Sequence, residues 1–324
     1  MDLIEKLEPI ILILSIIIGL SLAKVEIISD NTGNLINLFL CMLLYTLFLE
    51  VPIENLKESF KNIKFTSTSI IINFIWTPLF GYFLGNLFLN GNIDVFIGFF
   101  MLILTPCTDW YLVFTKMAKG NLNLSLSILP INLILQIILL PIYLIIFFSA
   151  SSTLNYTNLL YSLIIVIVIP FALAQIIKLI LNENKKKKIT KFLSKYQILF
   201  LALAIFAIFN SQGLILLNNL NSVLKIFIPL IIFFSTNTII DLLLSEKISF
   251  TYEEYASLTM TTLARNSPLA LAIAVNSFPN SELLIISLVI GQLIELPVLY
   301  IVSKFVLMIK NSGLFFTCGI SYEK

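Results

Sequence analysis

Two short polar segments interrupt long apolar runs of the sequence and hold the side chains best suited to bind a solute. The first, residues 105–109, reads TPCTD, and the second, residues 261–268, reads TTLARNSP. Together they bring a thiol, hydroxyls, an amide, a carboxylate and a guanidinium into surroundings that otherwise resemble hydrocarbon. The thiol of Cys107 could contact a soft, thiophilic solute, the carboxylate could carry a proton, and the guanidinium could contact an anion.

Charge inside these segments is the strongest indication of function. Arg265 is the only arginine among 324 residues, and a charge at the centre of a bilayer costs about 2.5–3.5 kcal/mol even on the most lenient scale. Asp109 carries a similar cost, so the sequence predicts that the two side chains pair. Buried ion pairs rarely add net stability compared with apolar packing. We therefore interpret the pair as functional; the alternative is a structural pair that locks the two segments together.

Each polar segment also contains a proline, Pro106 in the first and Pro268 in the second. Proline removes a backbone donor and clashes within a continuous helix, so both segments are predicted to interrupt membrane helices. The freed carbonyls are tolerated only where protein or a water-filled cavity covers them. A simple proline kink is the alternative at each position. Five nearby side chains could satisfy the loosened backbone: Thr105, Thr108, Thr261, Thr262 and Asn266.

Further polar side chains occur at membrane depth outside the two segments. Glu295 is a carboxylate that could take up a proton instead of remaining charged. Asn132, Gln136 and Gln292 add amide groups. Amides often join membrane helices by hydrogen bonds without contacting a substrate, so structural and functional roles both stay open for them.

The composition is that of a polytopic membrane protein. Hydrophobic residues make up 59% of the chain and charged residues 12%, against about 25% charged in soluble domains. Histidine is absent, which excludes histidine-based zinc sites, Ser-His-Asp triads and haem ligation by histidine. Cys41, Cys107 and Cys318 show neither disulfide nor zinc spacing, and a glycine-rich phosphate loop is lacking, so no cofactor is predicted.

Hydropathy breaks predict ten transmembrane helices, and the basic residues orient them. Of the 20 lysines and arginines, all but Lys24, Lys225 and Arg265 fall on one side, which the positive-inside rule makes cytoplasmic together with both termini. The plasma membrane is the expected location. The run KKKK at 185–188 is expected to fix topology; lipid or nucleic-acid binding is the less favoured alternative, and no nucleic-acid partner is predicted. The ten spans lie near 9–24, 34–51, 65–89, 94–118, 122–148, 156–181, 196–217, 222–244, 251–277 and 282–309.

An internal repeat relates the two halves. QIILLP at 136–141 and QLIELP at 292–297 share the pattern Q-x-I-x-L-P. The same offset places Thr105 on Thr261 and Asp109 on Arg265. Residues 1–150 and 151–324 would then each hold five spans, and an odd number inverts the second repeat, as in many secondary transporters.

Four stretches carry a resemblance to a known family: TPCTDWYLVFTKMAKGN, NLILQIILLPIY, ARNSPLALAIAV and VIGQLIELPVLYIVSK. They resemble the bile/arsenite/riboflavin transporter superfamily, and within it the arsenite-efflux permeases, which have a cysteine and a glutamate where Cys107 and Glu295 stand. The resemblance implies an all-α fold with a core of helices three to five and eight to ten beside a panel of one, two, six and seven. The interrupted helices four and nine would cross in the core.

Two departures from the family bear on the coupling ion and the solute. Sodium-coupled bile-acid relatives hold Na⁺ with a glutamate and a glutamine in the ninth helix, where this chain has Thr261 and Arg265. A fixed guanidinium would repel sodium, so protons are the expected partner. The arsenite permeases have an acidic residue where this chain has Ala270.

The predicted function is export of arsenite or a similar small metalloid oxyacid by a proton-coupled secondary transporter that alternates access. The expected coupling groups are Asp109 and Glu295. The alternatives are an organic-anion symporter of the same fold, a passive channel and, least favoured, an intramembrane enzyme with Asp109 as general base. The predicted substrate-binding residues are Cys107, Thr108, Asp109, Arg265, Asn266 and Glu295.

Overall fold

A computed structural model describes residues 3–24, 32–33, 35–50, 61–108, 111–148, 167–278 and 280–312. Regular structure in these ranges is helical, apart from one isolated β-bridge. The first half contains α1 (Leu3–Leu22), α2 (Ile36–Glu50), α3 (Ile63–Ile71), α4 (Thr77–Phe88), α5 (Ile93–Leu104), α6 (Tyr111–Met117) and α7 (Leu122–Phe148). The second half contains α8 (Ile169–Ile180), α9 (Glu183–Ser194), α10 (Gln197–Asn218), α11 (Leu220–Leu224), α12 (Phe227–Ile248), α13 (Tyr252–Leu263), α14 (Ser267–Ser277) and α15 (Glu282–Ser312).

The protein is an integral membrane protein. Large apolar side chains point outward from several of its helices, among them Phe83, Ile146 and Leu243, each about 60% exposed, as expected of surfaces that meet lipid. Five helical stretches of the described chain are long and apolar enough to cross a membrane. They are Ile63–Phe88, Leu122–Phe148, Asn184–Asn218, Leu220–Ile248 and Glu282–Asn311.

Both predicted interruptions are present. One separates α5, which ends at Leu104, from α6, and the other separates α13, which ends at Leu263, from α14. Pro106 lies within the first interruption, whereas Pro268 lies in the first turn of α14, where the missing N–H has no helical acceptor and proline is tolerated. Residues 51–60 and 151–166 lie outside the described chain, so the total of ten spans stays a prediction.

Side-chain caps fix where the interrupted helices begin. Asn92 caps α5 by accepting a hydrogen bond from the Val95 N–H at 3.2 Å. Thr251 and Glu254 form a capping box at the start of α13, in which each side chain accepts from the backbone of the other. Asn266 caps α14 through the Leu269 N–H at 3.2 Å. The local sequence therefore specifies helix starts on both sides of the second interruption.

Helix contacts fall into two groups. In the first, α10 packs against α1 and α2, and α2 packs against α8. In the second, α15 packs against α5, α6, α13 and α14, while α12 packs against α13 and α4. The groups meet where α14 contacts α2 and α15 contacts α10. Both interruptions belong to the second group.

Glycine allows α5 and α15 to approach closely. A Cβ atom at Gly98 would lie 2.7 Å from the Leu284 carbonyl oxygen and 2.9 Å from the Ser287 Cβ atom. One at Gly291 would lie 2.2 Å from the Leu102 Cδ2 atom. Small residues at such contacts let membrane helices pack backbone to backbone. The first helix of one interruption is thereby held tightly against α15.

A π-helical segment, Ile72–Trp76, joins α3 to α4 and was not predicted from sequence. The Tyr143 hydroxyl of α7 donates a hydrogen bond to the carbonyl of Phe74 within it. Single π turns inside helices occur frequently at functional sites. This one carries Asn73, which is completely buried.

The close contact of α5 with α15 predicts that Gly98→Ala lowers the stability of the folded protein. The added methyl group meets backbone instead of a movable side chain, and overpacking of this kind costs about 1–3 kcal/mol. Gly91→Ala is the matched control, because a Cβ atom there has no neighbour within 4 Å. Thermal unfolding of both variants in detergent tests this, and equal melting temperatures would contradict the packing described.

Candidate functional site

The two interruptions meet each other through their backbones. Pro106 and Arg265 form an isolated antiparallel bridge. The Cys107 N–H donates to the Ala264 carbonyl at 2.9 Å, and the Asn266 N–H donates to the Thr105 carbonyl at 2.6 Å. Backbone groups freed by one interruption are thus paired with those freed by the other, which satisfies the requirement that no such group stays bare in a membrane.

Side chains from both segments reinforce this crossing. The Thr105 hydroxyl lies 3.1 Å from the Leu102 carbonyl oxygen and 3.3 Å from that of Asn266. The Asn266 side-chain amide donates to the Thr108 hydroxyl at 3.2 Å. All of these groups are buried. The crossing therefore brings together the predicted residues Thr105, Pro106, Cys107, Thr108, Arg265 and Asn266.

Glu295 of α15 also belongs to the crossing, as a hydrogen-bond acceptor. The Arg265 N–H donates to its Oε1 atom at 2.6 Å, and the Ser267 hydroxyl donates to its Oε2 atom at 3.2 Å. Ser267 begins α14, so the carboxylate lies at a helix N-terminus, where the macrodipole favours negative charge. Glu295 thereby holds the second interruption against α15.

The Arg265 guanidinium is only 2% exposed and has several partners. It donates to the side-chain oxygen of Asn73 at 3.3 Å and to the Thr262 carbonyl, and it lies 5.0 Å from the centre of the Phe233 ring. It also interacts electrostatically with Glu295, Asp241 and Cys107. Asp109 lies outside the described residues, so its predicted pairing with Arg265 stays a prediction.

Three of these groups were not predicted from the sequence. Asn73 and Phe233 contact the guanidinium directly, and Asp241 of α12 is completely buried, with its Oδ2 atom 2.6 Å from the Thr262 Oγ1 atom. The sequence does mark Asp241, because it is a carboxylate within the otherwise apolar stretch IIDLLL at 239–244. The sequence hardly distinguishes Asn73, because a buried asparagine without a proline or a charge beside it resembles any amide that links helices.

Amide groups on neighbouring helices are buried without partners. Asn132 and Gln136 lie one turn apart on α7, and neither the nitrogen nor the oxygen of either side chain has a hydrogen-bond partner among the described residues. The same is true of the Gln292 Oε1 atom on α15. Each buried unpaired group costs about 1–3 kcal/mol. Thr261 differs, because its hydroxyl donates within its own helix to the Ser257 carbonyl at 2.7 Å.

Cys107 places a thiol inside this polar cluster. It is 2% exposed, and it interacts electrostatically with Arg265. In the described part of the chain, no group of three or more His, Cys, Asp or Glu side chains could hold a metal ion. The cluster therefore offers one sulfur contact, one guanidinium and several amides and hydroxyls.

The role of Glu295 predicts that Glu295→Ala destabilises the protein. The substitution leaves the buried Arg265 N–H and Ser267 hydroxyl without their acceptor, and an unsatisfied donor costs about 1–3 kcal/mol. Glu295→Gln keeps an acceptor oxygen of the same shape, so it should lose less stability. Melting temperatures in detergent compare the two variants. An alanine variant as stable as the glutamine variant would mean that the acceptor does not hold the crossing.

Comparisons with known proteins bear on this site. The Sodium Bile acid symporter family matches residues 37–219 of the chain, which is more than half of its length. The chain is 24% identical over 321 residues to the Arsenical-resistance protein Acr3 of Corynebacterium glutamicum, covering 91% of this chain and 86% of that protein.

Two further relatives extend the similarity. An uncharacterized transporter of Synechocystis sp. is 23% identical over 335 residues, covering 92% of this chain and 87% of that protein. The uncharacterized protein YbaS of Bacillus subtilis is 25% identical over 231 residues, covering 70% of this chain and 74% of that protein. Because the family match covers more than half of the chain, the protein belongs to the sodium bile acid symporter family, a family of transporters.

Proposed function

We propose that this protein exports arsenite, or a similar small metalloid oxyacid, from the cytoplasm by alternating access. The observation that carries the proposal is the crossing itself, at which a buried thiol, a guanidinium and a carboxylate surround backbone that is not helical. Secondary transporters place their sites at such interrupted helices. The similarity to the arsenical-resistance protein supports this choice of solute.

The proposed architecture has ten spans in two inverted repeats, residues 1–150 and 151–324, with both termini cytoplasmic in the plasma membrane. The offset that aligns QIILLP with QLIELP also aligns the two interruptions, which supports the repeat. The two groups of packed helices support a panel built around α1, α2, α8 and α10 beside a core that contains the crossing.

Substrate recognition would combine the thiol with hydrogen bonds. Neutral arsenous acid carries three hydroxyl groups around a thiophilic arsenic atom, so it needs a sulfur contact together with donors and acceptors. Cys107 supplies a single sulfur, which binds weakly enough to release the solute. The unpaired amides of Asn132, Gln136 and Gln292 could satisfy the solute hydroxyls, with Thr108 and Asn266 beside Cys107.

Proton coupling would use carboxylates at the crossing. Asp109 and Glu295 are the proposed coupling groups, because Glu295 accepts hydrogen bonds at the crossing and Asp109 directly follows Thr108 in the sequence. The Arg265 guanidinium lies where a sodium ion would be repelled, which favours protons as the coupling ion.

One observation favours an organic anion as the alternative solute. The Arg265 Nε atom is buried and has no hydrogen-bond partner among the residues described, and a guanidinium can bind a carboxylate through two parallel hydrogen bonds. A carrier for a bile-acid-like carboxylate would use this edge of Arg265 and would have little need of the thiol.

Everted membrane vesicles test the choice between the two solutes. We expect arsenite accumulation with an imposed proton gradient, unchanged when sodium replaces potassium, and Cys107→Ser should reduce it about tenfold or more, equivalent to 1.4 kcal/mol of lost binding. Cys41→Ser is the matched control, since Cys41 lies on α2, away from the crossing. The organic anion would be the favoured solute if the wild type took up no arsenite and if Cys107→Ser still took up a carboxylate.

Proton coupling is tested separately by Asp109→Asn. The amide keeps the shape of the acid but cannot release a proton, so gradient-driven arsenite accumulation should be abolished while the protein remains in the membrane. Accumulation equal to that of the wild type would refute the role of Asp109. Immunoblots of the vesicle membranes verify equal amounts of both proteins.

A further inference from the structure

Asp241 is a buried acid that the proposed coupling groups do not include. It lies on α12, is completely buried and contacts α13 through Thr262. We propose that Asp241 binds the transported proton in the conformation described here and passes its protonation state to the crossing through Thr262. The proton-binding assignment stands on geometry alone, whereas its part in transport rests on the proposed function.

The three short oxygen contacts of the Thr262 hydroxyl favour a proton on Asp241. The Thr262 Oγ1 atom lies 2.6 Å from Asp241 Oδ2, 3.0 Å from the Leu258 carbonyl oxygen and 3.2 Å from that of Thr259. A hydroxyl has only one hydrogen to donate, and threonine inside a membrane helix commonly donates it to the carbonyl four residues earlier. The contact with Asp241 then requires a hydrogen from the acid, and 2.6 Å is a normal length for an O–H···O bond.

The balance of buried charges around Arg265 also favours a protonated Asp241. Two buried carboxyl groups, Asp241 and Glu295, interact with the one guanidinium of Arg265. Glu295 accepts from two donors at the N-terminus of α14, so its ionised form is stabilised and balances Arg265. An ionised Asp241 would add an uncompensated charge, and one of its oxygens, Oδ1, has no hydrogen-bond partner within the described part of the chain. Buried acids in such surroundings are held in the neutral form.

Groups on every helix that packs against α12 fit this assignment. From α13, the titratable and charged neighbours are Arg265, just beyond its end, and Tyr255, which interacts electrostatically with Asp241. From the π segment and α4 come Trp76 and Thr77, which do not titrate, and from α15 comes Glu295. Glu246 lies one turn further along α12 itself. Arg265 is the sole buried cation among these, and Glu295 already neutralises it.

The position of Thr262 links this proton to the crossing. Thr262 lies in the last turn of α13, and its carbonyl accepts a hydrogen bond from the Arg265 guanidinium. Its hydroxyl meets Asp241, so one residue contacts both the acid and the base. Loss of the proton would return negative charge to Asp241 and draw the Thr262 hydroxyl away from the Leu258 carbonyl. Protonation of Asp241 therefore changes how the end of α13 is held.

A polar face on α12 gives the proton a route to the aqueous phase. Asn237, Asp241 and Ser245 are spaced by four residues, so they share one helix face, with about 6 Å of rise between successive members. The Asn237 Nδ2 atom and the Ser245 Oγ atom are buried, and neither has a hydrogen-bond partner in the ranges that the structure describes. Ser245 lies one turn from the end of α12 at Ile248. This end of the helix lies on the lysine-rich side of the membrane, which the proposed topology makes cytoplasmic. Buried water bridging such groups could carry the proton.

Infrared spectroscopy of the full-length protein in lipid bilayers at neutral pH tests the assignment without any substrate. Exposed carboxyl groups are ionised at that pH, so a protonated-acid carbonyl band that shifts in D₂O reports a buried acid. We expect this band in the wild type and its loss in Asp241→Asn. Thr262→Val should keep the band but shift it, because the acid loses its acceptor.

Several results would overturn the proposal. A wild type without the band, a band that persists in Asp241→Asn, or an unshifted band in Thr262→Val each contradicts the assignment. Folding is checked by melting temperature. Asparagine has the shape and hydrogen-bonding capacity of the neutral acid, so Asp241→Asn should melt at the wild-type temperature. A large drop would mean that the native acid is ionised.

Transport assays test the part that Asp241 plays in coupling. In everted vesicles, Asp241→Asn should lose proton-driven arsenite accumulation and keep arsenite exchange at equal pH on both sides. Accumulation that survives the substitution removes Asp241 from the coupling mechanism and leaves the proposed function intact. A wild type that accumulates no arsenite defeats the proposed function, while the infrared result still decides where the proton resides.

Discussion

A membrane interior offers no water to a backbone that leaves the helix, and this constraint determines the centre of the protein. Each interruption exposes carbonyl and N–H groups that must find partners within the protein. Here the partners are the groups of the other interruption, through the hydrogen bonds from Cys107 to Ala264 and from Asn266 to Thr105. Neither segment could adopt its conformation alone. The crossing is therefore one structural unit, although its two strands are separated by more than 150 residues.

Charge is arranged around this unit in a consistent order. Glu295 accepts hydrogen bonds from the backbone at the crossing, whereas the Arg265 side chain extends away from it toward Asn73, Phe233 and the end of α13. Arg265 thus meets the carboxylate of Glu295 through its backbone N–H, whereas its guanidinium contacts other elements. Movement of the crossing relative to α12 or α15 would change the surroundings of a buried charge. This is the condition under which proton binding and conformational change become linked.

The sequence allowed the crossing to be predicted better than its surroundings. Proline beside polar residues marked both interruptions, and the lone arginine marked the second. The repeat and the family resemblance indicated Cys107, Thr108, Asn266 and Glu295, and these residues lie at the crossing with Arg265; their part in transport stays a prediction. Asp241 and Asn73 were missed because single-sequence patterns reveal breaks and repeats, not which face of an unbroken helix meets a distant charge. The π segment that carries Asn73 arises from packing, and no local residue preference in the sequence predicts it.

Packing suggests where the moving boundary lies if the protein alternates access as proposed. The contact between α5 and α15 is backbone-close at Gly98, and Gly291 packs against the Leu102 side chain. Helix α15 also holds the second interruption through Glu295. These contacts would be lost by any sliding within the group, so the crossing and α15 have to move together. The contacts of α14 with α2 and of α15 with α10 join the two groups instead. A rigid-body motion of the crossing relative to α1, α2, α8 and α10 would change that second boundary and leave the hydrogen bonds between the interruptions unbroken.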